Sequence, residues 1–287
     1  MARKKVYLTF NSKKSFESFF KRKTSPILED EIEYCILNHY NSNRILFTAE
    51  HANSKTFRMK KDKSIVINVG DRNTDILAKI GSFHLLSAYI FPHFNRIDAD
   101  AARDPRDLGK GLVLFTRVCS NKSKIKVVYV PIHRNKQYYQ KLIKYHSIIE
   151  SLNPKAIISV HGIHAQRKFD FLLGFGGDYA CIGGKKNAFL FKRMFIQRLK
   201  DAFEEVGLKF DLKIGVSTWR WTGSKNYVLN KHVIQHNRKN KMKRIGVQIE
   251  MNYRGRVSSN NFPSKEYQIG IQVLGETMLY WLKTILQ

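Results

Sequence analysis

Three cysteines in 287 residues, at 35, 119 and 181, are too few and too scattered for a disulfide framework or a zinc knuckle built on cysteine pairs. Proline is scarce too, with six in the whole chain, and no internal repeat or low-complexity linker divides it. Long apolar runs are missing: His, Ser, Gly or charge breaks every stretch well short of the ~20 residues that span a bilayer. The opening MARKKVYLTFNSKK is basic but holds no apolar stretch fit for a secretory signal. These absences lead us to expect a soluble, cytoplasmic protein with no membrane partner. Acid is the remaining shortage. Against 51 Lys and Arg stand 23 Asp and Glu, leaving a net charge of +28 that favours polyanions or small acidic substrates and says nothing about fold.

What is present is enough for a core. Forty-three per cent of the residues are apolar, which excludes a wholly disordered chain. Short apolar runs alternate with longer amphipathic ones, the pattern of an α/β protein. Strands are expected at Arg44–Ala49, Ser64–Val69, Ile125–Val130, Ala156–Val160 and Arg244–Met251, all short and rich in β-branched residues. Helices are expected at Thr74–Tyr89, Lys136–Leu152, Ala188–Val206 and Glu266–Leu286, with stop signals at Asn153-Pro154 and Gly207. No composition shift cuts the chain. The expectation is a single α/β domain over 1–287, a central mixed sheet flanked by helices, with an irregular basic segment at Asn226–Lys243.

Ligands of open α/β sheets bind beyond the carboxyl ends of strands, and three expected strands end in reactive residues. One runs into Glu50-His51-Ala52-Asn53, another into His161-Gly162, and the last into Glu250-Met251-Asn252. Two imidazoles and a carboxylate there suit a zinc ion with a position open to water, and a further Glu suits a base. Singly, a histidine such as His51 or His161 is more often a structural residue. Glu250 is harder to set aside, because an ionised carboxylate in an apolar strand is costly unless paired or used. The segment Arg96–Asp104 alternates charge. It reads either as a solvated loop or as an Arg96/Arg103 fork for a substrate carboxylate, braced by Asp98, Asp100 or Asp104.

Together these pieces resemble the N-formylglutamate amidohydrolase family, itself similar to zinc carboxypeptidases and the aspartoacylase group. The His loop of that family is matched by Glu50-His51-Ala52-Asn53, and its following Asp by Gly70-Asp71-Arg72-Asn73-Thr74. Its Arg-x-x-x-Asp-x-x-Arg element is matched by Arg96, Asp100 and Arg103. The strand ending in His-Gly is matched by Ser159-Val160-His161-Gly162 and the Asp-x-x-Leu-Gly by Asp170 to Gly174. The late Gln-x-Glu-x-Asn is matched by Gln248, Glu250 and Asn252, with Arg254 or Arg256 beyond.

The resemblance implies a hydrolase of zinc-exopeptidase-like (phosphorylase/hydrolase-like) architecture, binding one zinc per chain. It implies His51 and His161 as ligands, with Asp71 as the third and Glu50 in reserve, since the family's usual glutamate position is Ser54. Glu250 becomes the general base, Arg96 a substrate or oxyanion contact, and Arg103 and Arg254 substrate-binding residues. The implied reaction is hydrolysis of the acyl–amide bond of an N-acyl (for instance N-formyl) acidic amino acid or similar small substrate. Departures are Asn53 for Gly, Ala102 for Asn, and Ser159 for an acidic residue that would orient His161. The rival reading is a nucleic-acid-binding protein on a hydrolase-like scaffold, with the metal site degenerate or directed at RNA. Other features weigh less. Leu173–Tyr179 lacks the context of a dinucleotide fingerprint, while Trp219–Tyr227 interleaves aromatics with cations. His232, His236 and Lys239–Arg244 read as a solvated basic face, and His133, Arg134 and His164 lie close to the motifs.

Overall fold

Alternation of side chains along the strands decides which face each residue meets. In the computed structural model, residues 6–38, 45–52, 57–58, 65–66, 71–94, 100–105, 112–117, 125–130, 136–163, 165, 167–218, 222–241 and 243–284 are described. The strands are β1 (Ile27–Glu29), β2 (Ile32–Ile36), β3 (Ile45–Thr48), β4 (Phe57–Arg58), β5 (Ile65–Val66), β6 (Ala88–Pro92), β7 (Leu112–Arg117), β8 (Ile125–Val130), β9 (Ala156–Ile163), β10 (Phe171–Gly174), β11 (Ile214–Val216) and β12 (Ile245–Asn252). Eight form a mixed sheet in the order β1-β2-β6-β3-β9-β12-β10-β11. Its centre, β3, β9 and β12, is parallel. Ile45, Phe47, Ala156, Ile158, Val160, Val247, Ile249 and Met251 enter one apolar cluster. Leu46 and Ile157, one residue out of phase, enter a second cluster on the other face.

Helices cover both faces. Helices α1 (Lys13–Lys23), α2 (Thr74–His84), α4 (Lys185–Glu205) and α5 (Lys265–Thr284) close the first cluster, and α3 (Lys136–Leu152) closes the second. Spacing explains each docking face: Phe16 and Phe20 on α1, and Phe191, Phe195 and Leu199 on α4, recur every fourth residue and are buried. Burying one such side chain contributes about 1.5–3 kcal/mol. Helix α5 packs against both α2 and α4, and its Trp281 is fully buried. Helix α2 approaches the sheet closely because residue 81 is glycine; a Cβ there would stand 2.6 Å from Phe47 Cε1. Gln268 and Gln272, one turn apart on α5, hold the N-terminal segment. Each amide accepts from one backbone N–H and donates to the same residue's carbonyl, at Phe10 and Leu8, over 2.7–2.8 Å.

Several expectations need correction. The helix expected over 74–89 stops at His84, because Leu86 turns left-handed (φ 49°) and Ala88–Pro92 is a strand paired with both β2 and β3. Ile125–Val130 is a strand, but it belongs with β4, β5 and β7 to a separate four-stranded antiparallel sheet, and of Ser64–Val69 only Ile65–Val66 is described as strand. Most of the segment expected to be irregular, residues 227–239, is helical. It runs helically through Tyr227–Leu229, Asn230–Gln235 and His236–Lys239, with a π-helical middle. Alternation elsewhere was a sound guide: α3 matches its expected span, and Asn153 (φ 44°) and Gly207 (φ 71°) both turn left-handed past helix ends. Among the described residues no helix is long and apolar enough to cross a membrane.

Candidate metal centre

The central strands carry a polar column on the face away from the larger cluster. Thr48, Ser159 and Gln248 stand in register across β3, β9 and β12, and His161 pairs with Glu250 two positions further. His161 therefore lies inside its strand rather than just past it, where the expected end at Val160 had put it, and Glu250 lies inside β12, within the expected strand Arg244–Met251. β9 and β12 run on to Ile163 and Asn252 because their outer residues still pair. β3 does stop at Thr48, and the turn after it, closed by Ala52 N–H to Ala49 O (3.2 Å), presents Glu50 and His51. Asp71 joins them from the start of α2; its N–H donates to His51 O at 2.6 Å.

Three atoms converge. His51 Nδ1 and His161 Nδ1 are 3.1 Å apart, and Asp71 Oδ2 lies 3.3 Å from the first and 3.4 Å from the second. Ligands at about 2.0–2.1 Å around a tetrahedral zinc stand about 3.3 Å from one another, so the triangle has the size that one such ion needs. The far nitrogens explain its polarity. His51 Nε2 is 2.7 Å from Asp100 Oδ1, a fully buried carboxylate also accepting from Ala102 N–H at 3.0 Å. His161 Nε2 is 3.0 Å from Ser159 Oγ and 3.2 Å from Glu50 Oε2. With each Nε2 proton directed at a carboxylate or hydroxyl, both Nδ1 lone pairs aim at the same point as the Asp71 oxygen. Such a convergence repels itself unless a proton or a cation sits between.

Glu50 is thus not a member of the triangle. It lies behind His161, where Thr48 Oγ1 and Ser159 Oγ both donate to it at 2.8 Å, and it supplies the acid that Ser159 lacks. Asn226, buried at the head of the helical run 227–239, donates to Ser159 Oγ (2.8 Å) and Gln248 Oε1 (3.0 Å) while its own oxygen caps Val228 N–H at 2.9 Å. Nothing in the sequence pattern singled out Asn226, because the helical run it caps lay in a segment expected to be irregular.

Charge balance sets the titration of the cluster. Burial alone would raise the Asp71 pKa, yet hydrogen bonds from His161 and His51 hold it well below the usual carboxylate value. Burial disfavours a charged His161, but Glu50 and Asp71 outweigh that and hold its pKa well above an ordinary histidine. Glu250 goes the other way. Burial, reinforced by Asp71, pushes it up to about 7, against the pull of His161. Its one described hydrogen-bond donor is Gln248 Nε2, at 2.7 Å.

Of the other expected residues, Arg103 is 44% exposed with Nε 3.7 Å from Asp100 Oδ2, so Asp100 braces both Arg103 and His51. Arg96 and Asp98 lie outside the described residues, as do His133, Arg134, His164 and Trp219–Trp221. The Arg254 side chain is exposed. The arginine near the cluster is Arg256, buried, donating from Nε to Met251 O at 2.9 Å and from Nη1 to Arg72 O, with its guanidinium over Gly162. The short helix Tyr253–Arg256 turns residue 256 back toward the sheet, which sequence spacing alone does not reveal. Nor is His232 part of a solvated face: it is buried, 3.0 Å from His146 Nδ1, while Arg238, Lys239, Lys241 and Lys243 are exposed.

No protein-family model matches the sequence, and no curated protein matches it. Solved structures do. The N-formylglutamate amidohydrolase from Ralstonia eutropha JMP134 superposes over 89% of this chain and 98% of its own, with a TM-score of 0.53 at 13% identity. A gene product of Agrobacterium tumefaciens superposes over 90% and 96%, with a TM-score of 0.54 at 12% identity. A metallo-carboxypeptidase from Burkholderia cenocepacia covers 94% of this chain and 68% of its own, at a TM-score of 0.49 and 8% identity. The chain has the zinc-exopeptidase-like fold, a mixed sheet between helices, of which the Ralstonia amidohydrolase is one example.

Proposed function

We propose that the protein is a zinc-dependent amidohydrolase that cleaves the acyl–amide bond of an N-acyl acidic amino acid or similar small substrate. The observation that carries this reading is the triangle of His51 Nδ1, His161 Nδ1 and Asp71 Oδ2, with edges of 3.1, 3.3 and 3.4 Å, beside the buried Glu250. Two imidazoles and one carboxylate suit zinc and leave a coordination position open. When bound, the ion polarises a scissile carbonyl and makes water more acidic. Glu250 takes a proton from the attacking water as its oxygen bonds to the carbonyl carbon. It returns that proton to the amide nitrogen as the C–N bond breaks, so the acid and the amine leave, Glu250 is ionised again, and the acid's proton passes to the amine to give carboxylate and ammonium. Arg103, exposed beside the site, clamps the substrate carboxylate, and Arg96 is assigned the substrate or oxyanion contact. The fold and the ordered sequence motifs support this reading; the amino-acid and acyl specificity are part of the proposal.

Elemental analysis of the wild type and of a His51→Ala/His161→Ala variant is the test. About one zinc per chain, lost in the variant, is expected from a three-ligand site. Hydrolysis of N-formyl and N-acetyl glutamate or aspartate should then depend on Glu250. Wild type that remains metal-free after zinc loading overturns the proposal.

A further inference from the structure

Helix α4 carries its charges in the wrong direction for its own stability. From 185 to 200 it has six cations, Lys185, Lys186, Lys192, Arg193, Arg198 and Lys200, and no acid, whereas Asp201, Glu204 and Glu205 crowd its end. A helix N-terminus is positive and its C-terminus negative, so lysines in the first turn and glutamates in the last are both unfavourable. Gly184 at the N-cap contributes no side-chain cap either. Two of the six cations have local work: Arg198 lies over the Tyr280 ring at 4.5 Å and Lys200 over Phe210 at 5.7 Å. The other four surround one residue. Lys185 and Lys186 stand four and three positions before Phe189, and Lys192 and Arg193 three and four after it, the offsets that share a helix face. Phe189 is 42% exposed, unlike the buried Phe191 and Phe195, and its ring lies 6.3 Å from that of Tyr179. Lys185, Lys186 and Arg193 are exposed, and Asp178 is the one acidic residue between Asp170 and Asp201.

We propose that this face of α4 binds single-stranded nucleic acid, a base stacking on Phe189 and backbone phosphates meeting Lys185, Lys186, Lys192 and Arg193. An exposed ring within a basic face is the arrangement that single strands use, and the stack accepts any base. A lipid surface fits less well. The apolar side of α4 is already buried through Phe191, Phe195 and Leu199, so it has no apolar face to insert. The face uses none of the residues of the metal centre, and the proposal stands whether or not the protein is a hydrolase.

The test is fluorescence anisotropy of a labelled single-stranded oligouridine on the full chain, from 50 to 300 mM salt. Wild-type affinity should fall linearly with salt on logarithmic axes, and a Lys185→Glu/Lys186→Glu variant should bind at least tenfold more weakly, with the slope reduced by about 1.4. The same variant should melt higher, because acids at a helix N-terminus are favourable. Phe189→Ala should lose about five- to a hundredfold in affinity with the slope unchanged. Lys13→Glu/Lys14→Glu, an equal charge change at the start of α1, should leave binding within about twofold. The proposal fails if the two charge variants weaken binding alike, or if Phe189→Ala binds as wild type. It fails equally if poly-glutamate displaces the oligonucleotide at equal charge, or if anionic phosphatidylserine vesicles capture the protein through Phe189 in preference to RNA.

Discussion

Glu250 and Asp100 are both buried acids near His51 and His161, yet their surroundings assign them opposite roles. Asp100 is 2.7 Å from an imidazole nitrogen, which fixes the ring and its tautomer. Glu250 accepts from Gln248 and is otherwise held against burial and Asp71, which raise its pKa to about 7. Glu250→Gln is expected to retain zinc and lose about 10²–10⁴-fold in turnover, with metal content and kcat measured on the same preparation. The base is the ionised form, so wild-type kcat/KM should rise as pH increases toward neutrality, with a bound cation moving the midpoint below 7. The Gln variant should lack that limb. Asp100→Asn should weaken zinc by about 10–100-fold in a chelator competition. Arg103→Ala, removing the proposed substrate clamp, should raise KM for the N-acyl substrate.

Between elements, the contact of β9 with the short helix after β12 leaves no room for a side chain at residue 162. A Cβ on Gly162 would stand 2.1 Å from Arg256 Nη2, inside the guanidinium that ties Met251 O and Arg72 O together. Gly162→Ala is expected to cost about 1–3 kcal/mol by overpacking, read as a lower midpoint in urea. If displacement of the guanidinium causes the loss, Gly162→Ala should cost much less in an Arg256→Ala background, a coupling visible in a double-mutant cycle. The same elements show why reading single segments misled. Ala88 and Tyr89 fell within the expected helix, but between β2 and β3 the backbone groups of Ala88–Pro92 are met by two strands, and tertiary pairing overrides local propensity.

At the scale of the whole molecule, two pairs of buried titratable groups pull stability in opposite directions with pH. His146 and His232, 3.0 Å apart, are both depressed by burial, His146 to about 3 and His232 well below its ordinary value. The unfolded chain therefore binds more protons, so their contribution is present above the ordinary histidine pKa and is lost as pH falls through it. His161 and Glu250 are raised instead. Without metal, the folded chain then holds more protons than the unfolded one, and stability declines as pH climbs through neutrality. If zinc binds at the proposed site it displaces those protons, so added zinc should raise Tm more at pH 8 than at pH 5.5. A His146→Phe/His232→Leu variant should show a flatter loss of stability between pH 6.5 and 4 in urea titrations. A zinc shift no larger at pH 8 than at pH 5.5 contradicts the assignment of protons.

Sequence alone determined the alternating strands and helices, the isolated apolar runs of β9 and β12, and the residue types able to bind metal. Those properties follow from periodicity, and periodicity is local. The resemblance to a known family named His51, Asp71 and His161, with Glu50 in reserve for Asp71, because the motifs lie in that family's order along the chain. Which atoms meet was decided only by the tertiary structure. Register across β3, β9 and β12 sets His161 beside Glu250 and brings Thr48 and Ser159 to Glu50. Chain reversal after Asn252 buries Arg256 and leaves Arg254 outside. Asn226 and Glu50 were unreadable as supports of His161, since both reach it through Ser159, by hydrogen bonds between residues 67 and 109 positions apart that leave no mark on spacing. Long-range pairing is the property of the folded chain that a linear pattern does not contain.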